Sequence, residues 1–103
     1  MMVSEFDSTI KTSISAIRIS VARILSKKMS QQQIAKKLGI TQAAVNKYLN
    51  GKHPKPVVNL ISFIKRKKID KTIATMVLSG KGIRKINESI DRAVSTIYTS
   101  RRK

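Results

Sequence analysis

Apolar residues recur at spacings of three and four along most of this chain, and polar breaks divide them into separate runs. Ile14, Ile17, Val21, Ile24 and Leu25 fall on one side of a helix over about residues 13–28. Many of these residues are β-branched, which lowers local propensity, so packing must hold the helix. Residues 1–12 are polar and weakly patterned, and read as an N-terminal arm or as the first turns of that helix. A strand starting at Ile10 is the alternative.

Two short helical patterns follow, separated by one glycine. Ser30 caps a helix from Gln31 to Leu38, because its hydroxyl accepts from an otherwise unpaired amide of the first turn. Gln33, three residues on, completes a capping box. Ile34, Ala35 and Leu38 share one face, and Gly39 ends the helix where a positive φ is required. Thr41 caps the next helix, whose stripe is Val45, Tyr48 and Leu49, and Asn50-Gly51 stops it. Helices this short do not persist alone, so each must pack on the other and on a third element.

The prolines of His53-Pro54-Lys55-Pro56 stiffen a connector. Pro56 opens a helix to about Lys67 at its first position, with Val57, Leu60, Ile61 and Ile64 inward. Lys65-Arg66-Lys67-Lys68 is a basic cluster that reads equally as a solvated helix end or as a phosphate contact. Asp70 then caps a short helix containing Ile73, Met76, Val77 and Leu78, broken by Ser79-Gly80-Lys81-Gly82. From Ile83, a stripe of Ile86, Ile90, Ala93 and Ile97, with Val94 beside it, runs nearly to the end. It predicts one helix whose apolar side meets a second subunit.

The stretch 30–52 resembles the helix-turn-helix of Cro/repressor-type (XRE-like) DNA-binding regulators. The residues that carry this are Gln31 at the start of the first helix, the small Ala35 where the helices cross, Gly39 at the turn, and apolar Ile34, Leu38, Ile40, Val45 and Tyr48. Asn50-Gly51-Lys52 follows as it often does in the family. The run from Gly39 to Val45 is similar to short archaeal regulators of this type; some of those carry paired cysteines near the C-terminus, and this chain has none. A second resemblance competes in the tail. Gly82–Ile90 with Ser95–Tyr98 is similar to the DNA-binding units of resolvases and some transposases, although Asp91 stands where the turn glycine belongs and Asn87 where the small residue belongs.

The resemblance to XRE-like regulators implies a compact all-α, multi-helix helix-turn-helix domain over 13–68, with C-terminal helices over 69–103 serving dimerisation. It places the helix 41–50 in the major groove with its N-terminal side chains at base edges. Gln42, Ala43, Asn46 and Lys47 are then the base-reading candidates. The two amides suit adenine, the alanine methyl suits close approach or a thymine methyl, and the ammonium suits guanine. Gln31, Thr41, Asn50, Lys52 and Lys28 are the phosphate candidates, with Gln31 helped by the positive end of its helix. Arg18, Arg23 and Lys27 are expected on the outer side of the first helix, also near phosphates.

Composition narrows the partner. Twenty-two Lys and Arg face five acids across 103 residues, a net charge of +17. No acid lies between Asp7 and Asp70, so the whole motif is acid-free. Such a surface is the footprint of a polyanion binder. A membrane surface is the competing polyanion, but no stretch pairs a Trp/Phe-rich face with a basic one. Neither a signal peptide nor a membrane-spanning run is seen, and cysteine is absent, so the expected location is cytoplasmic and nucleoid-associated. No catalytic set, metal site or cofactor is expected. His53 reads as an exposed loop residue, and Glu88 and Asp91 as solvated carboxylates beside Arg84 and Arg92.

The resulting expectation is a non-enzymatic, sequence-specific double-stranded DNA-binding transcription regulator, acting as a homodimer. A plasmid-partition centromere binder that spreads along DNA and meets an ATPase would use the same motif. A non-specific architectural protein would explain the charge but not the alanine-flanked recognition helix. An antitoxin or adaptor would show a tight protein partner, and contact with the transcription machinery is left open. No operator or effector is legible.

Overall fold

In the computed structural model, residues 5–102 are described, with side chains described for residues 10–100. They form six helices and, among the described residues, no strand: α1 (Glu5–Leu25), α2 (Gln31–Leu38), α3 (Gln42–Asn50), α4 (Lys55–Arg66), α5 (Ile69–Leu78) and α6 (Ile83–Arg102). The fold is all-α, as the periodicity predicts.

α1 is the central helix and packs against each of the other five. That position explains its composition. Ile17, Ile19, Val21 and Leu25 are buried, but so are Ser13, Ala16, Ser20 and Ala22, so burial spreads around much more of the helix than one stripe. A helix enclosed in this way gains from β-branched side chains that would weaken an isolated one, each buried isoleucine contributing about 1.5–3 kcal/mol. Its start decides between the two readings of residues 5–12, and its expected end is corrected. The helix starts at Glu5, so residues 5–12 are its first turns and not an arm or a strand, and residues 26–29 already form a turn. Residues 1–4 lie outside the described residues. Arg18 is also corrected, being half-buried with its Nε enclosed and without a hydrogen-bond partner.

α4 uses Val57, Leu60, Ile61 and Ile64 as its buried side. It begins one residue earlier than expected, with Pro54 as its N-cap and Pro56 at the second helical position. Arg66 and Lys67 at its end lie over the Phe63 ring, 5.7 and 5.9 Å from the centroid, so two of the four clustered cations rest on an aromatic face. Lys68 then takes φ 60, a left-handed conformation that turns the chain directly into α5.

Asp70 does not cap α5. Lys68 occupies that position, and Asp70 lies in the first turn, 2 % exposed. Its Oδ2 accepts from the Ser20 hydroxyl at 2.6 Å, and its Oδ1 accepts from the Lys71 backbone N–H at 2.8 Å. A carboxylate this enclosed is tolerable because both oxygens are bonded and the positive end of α5 faces it. The pair ties α5 to the middle of α1.

α6 is one uninterrupted helix, with Asp91 exposed in its middle, which removes the second helix-turn-helix reading. The expected role of its stripe is corrected. Ile86, Ile90, Val94 and Ile97 are buried within the chain's own core, where α6 packs on α1, α5 and α2. Ile83, expected in that stripe, is 44 % exposed. Arg84 and Glu88 form a 3.7 Å pair in solvent, as the i,i+4 spacing suggests.

Candidate nucleic-acid interface

α2 and α3 are built by local signals that the structure satisfies. The Ser30 Oγ accepts from the Gln33 N–H at 3.2 Å, while the Ser30 N–H donates to Gln33 Oε1 at 2.9 Å, a closed capping box. Gly39 has φ 69, and its N–H donates to the Ala35 carbonyl, closing α2 and turning the chain. Thr41 Oγ1 accepts from the Ala44 N–H at 3.0 Å and starts α3. Ile34, Ala35 and Leu38 of α2 and Val45 of α3 are buried, with Tyr48 and Leu49 half-buried against the core. The two helices therefore share one apolar side, which fixes the outward direction of the remaining residues.

Gln42, Ala43, Asn46 and Lys47 are all exposed on α3, whose buried residue is Val45. Ala44, between them, is half-buried. The Asn46 side-chain N–H2 donates to Gln31 Oε1 at 3.4 Å, linking the recognition helix to the first residue of α2. At that length the bond is weak. It engages one of two amide hydrogens, and an oxygen with one N–H is the pair a bidentate contact to adenine needs.

The phosphate candidates sit in four places. Gln31 is half-buried at the first position of α2, whose unpaired amides add positive potential. Thr41 is exposed at the cap of α3, its oxygen accepting the cap bond while its proton stays available to donate. Asn50 and Lys52 are exposed at the far end of α3, and Lys28 is exposed in the turn before α2. His53 departs from expectation. It is half-buried, its Nε2 3.2 Å from the Tyr48 carbonyl, so it fastens the connector to the end of α3.

Sequence reasoning missed a set of residues beside this surface. Lys11, Thr12 and Ser15 of α1 line an open groove together with Ala44, Lys47 and Lys52. They were illegible because these polar positions carry no motif of their own, and only the fold brings them alongside α3. Among the described residues, no group of His, Asp or Glu is arranged to hold a metal ion, and no helix is long and apolar enough to cross a membrane.

No curated protein and no solved structure matches the chain. The family model described as Helix-turn-helix does match, over residues 19–65, a little under half the sequence and spanning the last third of α1 through nearly all of α4. What this match and the capped, glycine-turned pair α2–α3 support for that part of the chain is an XRE-like helix-turn-helix, a DNA-binding unit of regulators in general.

Proposed function

We propose that this chain is a sequence-specific double-stranded DNA-binding transcription regulator that occupies its site as a homodimer. The observation that carries the reading is the exposure of Gln42, Ala43, Asn46 and Lys47 on one outward side of a helix anchored through Val45. α3 enters the major groove, and Gln42 and Asn46 choose bases, with Lys47 beside them. Gln31, Thr41, Asn50, Lys52 and Lys28 hold the flanking phosphates and set register without choosing sequence. The acid-free surface from residue 8 to residue 69 supports the electrostatic half of this reading.

One helix-turn-helix reads only a few base pairs, so two copies related by two-fold symmetry read half-sites about 34 Å apart or a multiple of that. Selection of bound duplexes from random DNA tests both parts. An inverted repeat supports the dimer, a single half-site removes it, and no enrichment at all favours the architectural reading. On the selected site, Gln42→Ala is expected to cost about 1–3 kcal/mol and to relax preference at one base pair. Equal weakening on random duplex would assign Gln42 to the backbone instead.

A further inference from the structure

Beside α3 lies an open groove of about 680 Å³ that the helix-turn-helix motif does not account for. Lys47 enters it from α3, Lys52 and His53 from the connector, and Lys11, Thr12 and Ser15 from the first half of α1. The three α1 residues precede the segment 19–65 matched by the family model, so they are additional to the motif. Lys11 is exposed and the two hydroxyl residues are half-buried. Among the described residues lining the groove there is no carboxylate.

Three ammonium groups from three separate segments are thus gathered without a counter-charge, against their mutual repulsion. The apolar wall formed by Ile19 and Val57 keeps the local dielectric low and concentrates the positive potential. Hydroxyls beside ammonium groups are the side chains that bond phosphate oxygens. An open trough suits a run of linked phosphates better than one enclosed anion. Lys47 belongs to both the groove and the base-facing side of α3, which makes the two surfaces continuous.

We propose that this groove seats the sugar-phosphate strand bordering the major groove that α3 occupies, with Lys11, Thr12 and Ser15 supplying backbone contacts from α1. The proposal rests on the reading of α3 as a duplex reader. It makes the interface wider than the motif: the same strand is held from the connector on one side and from α1 on the other.

The test uses the full chain, the duplex recovered by selection and a random duplex of equal length, titrated from low to high KCl. Lys11→Gln is expected to weaken both duplexes by the same factor and to flatten the log–log salt slope by about 0.9. Thr12→Val combined with Ser15→Ala weakens both duplexes several-fold while leaving the slope unchanged, because no charge is lost. Lys71→Gln, an exposed cation on α5 outside the groove, is the control and leaves the slope as it is. Phosphate ethylation adds a positional readout: at least one phosphate whose ethylation blocks the wild type no longer matters to Lys11→Gln. An unchanged slope and interference pattern in Lys11→Gln overturns the groove assignment while leaving α3 as the reader. Loss confined to the selected duplex also overturns it, since that is base reading. A wild-type chain that binds neither duplex overturns the reading of α3 itself.

Discussion

Gln31 and Asn46 show how a single contact joins two roles that the sequence separates. Fifteen positions apart, they read as a phosphate ligand and a base reader; in the fold, the amide of one bonds the other at 3.4 Å. The bond, though weak, gives Gln31 a way to orient Asn46 in the proposed complex. Replacing each with alanine, singly and together, is expected to give binding losses that do not add, with a coupling of about 0.5–1 kcal/mol at the low end of contacting pairs. Additive losses on the selected duplex would show that the bond has no consequence in the complex. Asp70 shows the opposite limit. Its acidity near a helix start was legible, but its partner Ser20 is 50 positions away and gives no local signal, so the burial of that carboxylate follows only from the fold.

At the scale of the element, what was legible was local. Ser30 with Gln33, Gly39 and Thr41 each announce a helix end within four residues, and α2 and α3 lie where those signals put them. The glycines of the motif act through different physics. Gly39 holds φ 69, and a Cβ there would meet Ile83 only at ordinary van der Waals distance, so the cost of a side chain is conformational. Gly39→Ala is expected to lower stability by about 1–2 kcal/mol in denaturant unfolding. Gly51 has φ −83, which any residue adopts, but its Cβ would lie 2.6 Å from the Lys47 carbonyl oxygen. There the requirement is room and not handedness, a distinction the Asn-Gly pair does not reveal. The outer elements were less legible for one reason. α1 is covered by the other five helices, so Ser13, Ala16 and Ser20 are buried without announcing it, and its start is only weakly patterned. α6 has a clear stripe, but a stripe does not say whether it meets its own chain or a second copy. Because Ile90 is 3 % exposed within the chain, Ile90→Ala is expected to cost about 2–5 kcal/mol at a midpoint independent of protein concentration. A midpoint that rises with concentration would return α6 to a subunit interface.

For the whole molecule, charge outweighs shape. A chain of net charge +17 with a Cα radius of gyration of 13.2 Å carries far more cation than solubility needs. If Lys11, Lys28 and Lys52 all engage, with Lys47 beside them, the two subunits of the proposed complex neutralise roughly six to eight phosphates per site. Its affinity is then expected to fall by about 10³–10⁵ between 50 and 200 mM salt. Titration of the selected duplex at four salt concentrations measures this directly. A shallow dependence would mean that most of these lysines never reach a backbone, whatever α3 reads. The sequence indicated this polyanion preference from composition alone. Reading α1 as an amphipathic helix put Arg18, Arg23 and Lys27 near phosphates but offered no hint of the proposed contacts from Lys11, Thr12 and Ser15, because nothing in a count of lysines says which of them the fold gathers together.

The enclosure of α1 has a bearing on how far the DNA-reading segment is portable. α2 and α3 rest on a helix whose other sides are covered by α5 and α6, and Asp70 pins that covering in place. A cassette cut after α4 would take the recognisable motif with it and leave its supporting rod half undressed, with isoleucines open to water. Grafting the proposed specificity onto another scaffold therefore requires the tail as well as the reader, since α6 packs on α2 as well as on α1.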